Sequence, residues 1–173
     1  MERDWTGELR ALADRQAITA ALYTYCRAVD RVDRELGYAI WHEDARVDYG
    51  PAIYAGPARG LIDHICDSHL KGLSHSHQLT NILIAIDGDA AASEAYVNSA
   101  MRMRDGDALL QVNTRGRYLD RWLRCKDGWK ITRRLFLCDL SEARAVREGP
   151  LPQTGAMGAG DASHAVFAGA INR

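Results

Sequence analysis

Leu9, Leu12, Ile18, Leu22, Tyr25 and Val29 recur at three- and four-residue spacing along the first part of the chain, the pattern of a helix that buries one stripe. The spacing predicts a helix over residues 6–29, closed by Asp30. A shorter helical stretch is expected over 36–41, followed by a β-prone run, ARVDYG, that enters a Gly-Pro turn. Leu61, Ile62, Ile65 and Leu70 mark a third helix over 58–70. Beyond it the period becomes that of strands. Long runs at 76–87, 91–104 and 108–125 lead into Asp87-Gly88, Asp105-Gly106 and Asp127-Gly128, and residues 129–140 supply a last strand. Asp-Gly between β-prone runs marks a tight hairpin turn, so the second half is expected to be an antiparallel meander. Helices followed by a meander make an α+β domain, in which N-terminal helices pack on a strongly curved antiparallel sheet and leave a cone-shaped cavity. Cavities of that kind hold apolar ligands.

After Arg147 the composition shifts to Gly and Ala with little periodicity. The folded domain is therefore expected over residues 1–147, and residues 148–173 as an arm or partly disordered tail. The apolar patch at 165–168 is expected to dock on a neighbouring subunit, to lid the cavity, or to stay a flexible end. Leu151-Pro-Gln-Thr-Gly155 matches a sortase sorting pattern. The apolar, basic-ended anchor that sorting needs does not accompany it, and the match is read as chance.

Composition narrows the function classes. The chain has 173 residues, 47% of them apolar, with 22 basic and 23 acidic side chains. That is long enough for a sizeable core in one domain, and it carries no broad positive field of the sort nucleic-acid binding relies on. No run approaches the roughly 20 apolar residues of a membrane span, and the N-terminal stretch MERDWTGELRALADRQ is charged where a signal peptide needs an apolar run. The expectation is a cytoplasmic protein with neither nucleic-acid nor membrane partners. Cys26, Cys66, Cys125 and Cys138 have no CxxC spacing and read as core-filling thiols.

The candidate chemistry lies in AVDRVDRELGYAIWHEDARVDYG and SHSHQLTNILIAIDGD, which bring an acid, Asp30, a phenol, Tyr49, and an imidazole, His77, to separations one small domain can converge. A carboxylate accepting from one imidazole nitrogen fixes the tautomer and stabilises the imidazolium formed on proton uptake. The blander readings are a solvent-exposed Asp30 and a core His77 bonded to a backbone carbonyl. On helical spacing Tyr23 and Cys26 share a face with Asp30 and become candidates for substrate contact, with Tyr25 beside them. On strand spacing His77, Leu79, Asn81 and Leu83 share a face, which adds Asn81. Tyr49 and Tyr25 are candidates to hold a carbonyl oxygen or a bound water. Arg133 and Arg134 point to opposite faces of the last strand, so one of them faces the cavity, where it would neutralise an enolate or anionic leaving group. His75 and His77 form an HxH pair, but no third ligand has a spacing argument, and no metal or cofactor is expected. His42, His64, His69 and His164 receive no role.

In the order and spacing of those two segments and of DGWKITRR, the chain resembles the SnoaL-like branch of the nuclear transport factor 2-like superfamily over roughly residues 8–142. The resemblance implies the same cone-shaped α+β barrel. It is most similar to that family's lyases: scytalone dehydratases, hexachlorocyclohexane dehydrochlorinases and bile-acid dehydratases. Their Asp–His dyad falls on Asp30 and His77, their tyrosines on Tyr49 and Tyr25, and the leaving-group arginine of the dehydrochlorinases on Arg134. Met103 falls near the second histidine of the scytalone dehydratases, and Tyr25 replaces a dehydrochlorinase lysine, so neither natural substrate is implied. The resemblance implies a cofactor-independent, dehydratase-like lyase acting on a hydrophobic ring compound such as a steroid, polyketide or aromatic metabolite. Alternatives are a ketosteroid-type isomerase or cyclase, or a non-catalytic dioxygenase small subunit or ligand-binding protein. Such barrels cover the open sheet with another subunit, which implies a dimer or trimer.

Overall fold

The computed structural model describes residues 5–167. A long helix, α1 (Trp5–Arg31), and a short one, α2 (Arg34–Tyr38), lead into β1 (Trp41–Asp48) and β2 (Ala55–Pro57). Helix α3 (Ala58–His69) follows, then four long strands, β3 (Ser74–Asp87), β4 (Ala90–Asp105), β5 (Ala108–Cys125) and β6 (Gly128–Ala145), and a last short helix, α4 (Ser163–Phe167). The second helix is shorter than the sequence suggests: Asp33 caps its start, accepting from the Leu36 amide, and Trp41 already belongs to a strand. No helix among the described residues is long and apolar enough to cross a membrane.

The six strands form one bent, unclosed sheet in the order β2-β1-β6-β5-β4-β3. The meander is antiparallel as expected, with Gly88 and Gly106 at φ +57° in its first two turns, where a side chain would be strained. The sheet as a whole is mixed, because β1 runs parallel to β6. Three bulges interrupt the long ladders, where Asn81 and Ile82 face one residue of β4, and where Thr132 and Asp139 are extra residues in β6. Bulges bend strands and sharpen twist, and here they curl the sheet around the helices.

Helix α1 supplies the centre of the core through Ile18, Leu22, Tyr25, Cys26 and Val29, all buried against Leu61, Ile62 and Cys66 of α3 and Val97, Tyr118, Trp122 and Ile131 of the sheet. The stripe begins later than the spacing predicts. Leu9 and Leu12 are exposed, and the first buried position is Asp14. Its carboxylate takes both ends of the Arg124 guanidinium at 2.6 and 2.7 Å and the Trp129 indole N–H at 3.1 Å, tying α1 to the β5–β6 hairpin.

The tail folds back on its own chain. Arg31 donates to the Ala156 carbonyl at 2.6 Å and pairs with Asp161 at 2.8 Å, Arg27 reaches Ser163 at 3.0 Å, and the Phe167 ring lies 4.7 Å from the Arg27 guanidinium. The described part of the apolar patch, Ala165 to Phe167, thus sits beside α1; Ala168 lies outside the described residues.

The Arg124 contact holds the Asp14 carboxyl down from the ordinary 3.8 to about 2 against the opposing effect of burial. The unfolded chain then takes up that proton first as the pH drops, so the pair's contribution is complete above about pH 4 and is lost as the pH falls through about 2. Asp14→Asn is expected to lower unfolding free energy by about 2 kcal/mol at neutral pH. Urea titrations of both proteins between pH 7 and pH 2 check this, and the two should converge at the acid end.

Candidate active site

Helix α1 ends where the chemistry begins. The Asp33 amide bonds back to the Ala28 carbonyl at 2.8 Å and Val32 takes a left-handed conformation, φ +54°, the geometry of a helix-stopping motif that usually employs glycine. A β-branched residue there is strained. The stop leaves Asp30 in the last turn, at the negative end of the helix dipole, where a carboxylate needs donors. Strand β3 provides them. The His77 amide donates to Asp30 Oδ2 at 3.0 Å, and His77 Nδ1 lies 2.7 Å from Oδ1. Because a carboxylate only accepts, Nδ1 carries the hydrogen in the neutral ring and Nε2 is left with its lone pair.

That imidazole lines a cavity of about 300 Å³, together with Tyr25, Tyr49, Tyr118, Phe136 and His69 among others. Exposed Ala52, Ile53, His64 and Ser68 rim it, whereas the three tyrosines are buried. The Tyr25 and Tyr49 hydroxyls are 2.9 Å apart, and the Tyr118 ring meets Tyr25 edge-on at 5.7 Å. Phe136 stacks on Tyr49 at 5.2 Å, over Gly116, where an added Cβ would sit 2.6 Å from the Phe136 ring and 2.3 Å from the Leu137 carbonyl. Burial raises all three phenols above their ordinary range, well above for Tyr25 and Tyr118. They stay protonated and able to donate.

Arg134 faces inward and Arg133 outward, yet Arg134 does not line the cavity. It is fully buried and forms a two-point pair with Asp120, at 2.7 and 2.8 Å. Its guanidinium lies 4.4 and 4.1 Å from the centres of the Tyr25 and Tyr118 rings. Burial opposes its charge, but Asp120 and the surrounding rings hold it well above the ordinary range. Burial pushes the Asp120 carboxyl up, and the Arg134 contact opposes that shift. The expected direct contact with a leaving group is therefore corrected: Arg134 is absent from the cavity lining, and the rings of Tyr25 and Tyr118, which do line it, lie against its guanidinium.

Four other expected contacts also change. Tyr23 is 54% exposed, because the buried stripe centres on Leu22, Tyr25 and Val29 and turns it outward. Cys26 is buried in the core outside the cavity lining, and burial pushes its thiol up to about 12. Asn81 is exposed at φ +49° in the β3 bulge; past it Ile82, Ile84 and Ile86 pack inward and Leu83 outward. Met103 lies two residues beyond Met101, which is the methionine that lines the cavity.

Other groups were missed. His69 is 4% exposed and lines the cavity, with Nδ1 2.9 Å from the Val29 carbonyl. His75 is equally inward, but its Nε2 is 3.1 Å from both the Val29 and Asp30 carbonyls. That nitrogen is a donor, so the HxH pair does not converge on a shared ion. Burial lowers His69 from the ordinary 6.5 to about 4 and lowers His75 as well. Tyr118 and Asp120 were missed too. The clustering of three histidines in DSHLKGLSHSH was the available signal for His69; the β5 residues carried none. A larger hollow of about 560 Å³ borders Asp30 and is lined by His75, Arg102, Gln111 and residues 153 and 155–157 of the tail among others. It lacks His77 and the aromatic lining, and no described residue of the tail lines the 300 Å³ cavity.

These features coincide with a known family. The chain matches the SnoaL-like domain family over residues 10–135 and belongs to it. Its structural neighbours share the nuclear transport factor 2-like cone fold. One is a proposed aromatic ring hydroxylase from Novosphingobium aromaticivorans, 28% identical, TM-score 0.67, covering 78% of this chain and 94% of that one. A proposed scytalone dehydratase from the same organism is 21% identical, TM-score 0.69, covering 88% and 97%. A hexachlorocyclohexane dehydrochlorinase from Novosphingobium barchaimii is 19% identical, TM-score 0.71, covering 84% and 99%. Comparison with curated proteins gives no match.

Asp120→Ala is expected to lower unfolding free energy by roughly 3–5 kcal/mol, because it leaves the Arg134 charge buried without its partner. Urea denaturation measures it; a loss below about 1 kcal/mol, the range of an exposed pair, would contradict the arrangement.

Proposed function

We propose that the chain is a cofactor-independent lyase of the dehydratase type, acting on a hydroxylated, hydrophobic ring compound that carries a carbonyl or equivalent activating group. The observation that carries this reading is the two-point Asp30–His77 contact, which leaves one bare imidazole nitrogen on the wall of a cavity lined with phenols. His77 Nε2 takes a proton from the carbon next to the activating group. The C–H electron pair moves toward the carbonyl oxygen, which accepts a hydrogen bond from Tyr25 or Tyr49. Asp30 stabilises the resulting imidazolium. Collapse of the enolate expels the β-hydroxyl, which takes the proton from His77 and departs as water, so the base is regenerated. Arg134 does not touch the substrate; it supports the positions of Tyr25 and Tyr118.

A volume of about 300 Å³ is at the lower bound of small-molecule sites, about 300–1,000 Å³. It favours a compact aromatic or polyketide ligand over a steroid. The dehydratase and dehydrochlorinase neighbours support an elimination. The 28% identical neighbour, a proposed aromatic ring hydroxylase, keeps a second reading in view, in which this chain is a non-catalytic small subunit of a ring-hydroxylating enzyme.

Incubation of the wild type and of His77→Gln with pooled hydroxy-ketone, polyketide and aryl compounds in deuterated water, followed by mass spectrometry, separates these readings. Water loss or deuterium uptake by the wild type, reduced about 10²–10⁴-fold in His77→Gln, is the range expected for a positioned general base. Deuterium uptake without water loss would move the assignment to an isomerase. No His77-dependent change, together with co-purification with a much larger partner, would favour the subunit reading.

A further inference from the structure

His69 closes α3 with its ring 3.8 Å, centre to centre, from that of His75 and 5.5 Å from that of His77. Three imidazoles thus stand beside one another, and the chemistry of their partners makes them unequal. The Val29 carbonyl can only accept, so His69 Nδ1 carries the hydrogen and its neutral ring presents Nε2 as a lone pair. His75 is fixed in the opposite tautomer by the Val29 and Asp30 carbonyls, and its Nδ1 is buried without a partner. His77 is held by a carboxylate.

A second charge in this stack would be repelled by the first, and the buried His69 has no carboxylate of its own to offset one. Burial holds it neutral down to about pH 4. It is therefore a fixed acceptor at working pH, beside the proposed base. The hydroxyls of Tyr25, Tyr49, Tyr118, Ser68, Ser99 and Thr114 on the same cavity can rotate to donate or accept, but His69 Nε2 cannot donate without the ring becoming charged.

We propose that His69 is a specificity-determining residue: its Nε2 accepts a hydrogen bond from a hydroxyl of the ring compound, adjacent to the carbon that His77 addresses. The selected ligand class is hydroxylated or phenolic rings, discriminated from their O-alkyl ethers. An ether oxygen facing this nitrogen leaves two acceptors opposed and the buried lone pair unsatisfied. The inference rests on the cavity's being the ligand site, as in the proposed function, but not on the chemical step.

The test is binding of 2-naphthol and 2-methoxynaphthalene by calorimetry, to the wild type, to His69→Phe, which keeps a ring in the stack, and to His77→Gln. The wild type is expected to prefer the naphthol by about tenfold. His69→Phe should bring the two ligands within about threefold while still binding the ether, and His77→Gln should keep the preference. A preference that survives in His69→Phe, that is absent from the wild type, or that disappears only in His77→Gln would overturn the proposal.

Should His69→Phe not fold, imidazole ¹⁵N spectra of the wild type decide. A neutral ring with bare Nε2, whose Nε2 resonance moves with 2-naphthol and not with the ether, supports the role. The opposite tautomer, or the same response to both ligands, overturns it. Loss of turnover chemistry in the deuterium assay with this preference intact would overturn the lyase reading alone.

Discussion

A carboxylate at the C-terminal end of a 27-residue helix is electrostatically misplaced, and the way this chain satisfies Asp30 organises the rest of the molecule. Both oxygens go to one residue of β3, the backbone amide and the ring of His77, while the carbonyls of Val29 and Asp30 go to His69 and His75. The end of α1 is thereby fastened to the end of α3 and the start of β3 through three imidazoles. Left-handed Val32 stops the helix at the point that makes these contacts, and Arg31 ties the same turn to Asp161 of the tail. A strained backbone beside a candidate catalytic carboxylate is consistent with a position that the surrounding structure over-determines.

On the other side of the cavity the constraint is burial of charge. Arg134 and Asp120 are both fully buried, and each would be costly alone. Their pairing, and the faces of Tyr25, Trp41 and Tyr118 around the guanidinium, turn that cost into a rigid mount for the phenols. Gly116 completes the wall by admitting the Phe136 ring where no side chain would fit. The result is a set of buried phenol donors on the same cavity as the His77 imidazole, and fixed donors of that type are what stabilise developing negative charge most effectively.

Much of this was legible in the sequence for physical reasons. Helical spacing and Asp-Gly turns identified α1, α3 and the meander, and the acid, phenol and imidazole that the structure gathers were identifiable by type and separation. Two of the departures share a cause, bulges that break the period of two. Alternation carried through Asn81 placed it beside His77, but the extra residue turns Ile82, Ile84 and Ile86 inward instead. Thr132 does the same in β6: Ile131 and Arg134 both point inward although they differ in parity. His69 escaped because its role comes from a helix end meeting carbonyls 40 residues away in the chain, a pairing that local pattern does not encode. Tyr118 and Asp120 depend on strand register, which only the assembled sheet sets.

Both the proposed chemistry and the organisation of the site depend on Asp30 fixing His77 with Nε2 bare and directed at the cavity. ¹⁵N spectra of the His77 imidazole in the free protein test this without knowledge of the substrate. The expected result is a hydrogen on Nδ1 and none on Nε2 in the neutral ring, and a loss of that single tautomer in Asp30→Asn. A hydrogen on Nε2, or a His77 spectrum that Asp30→Asn leaves unchanged, would contradict it.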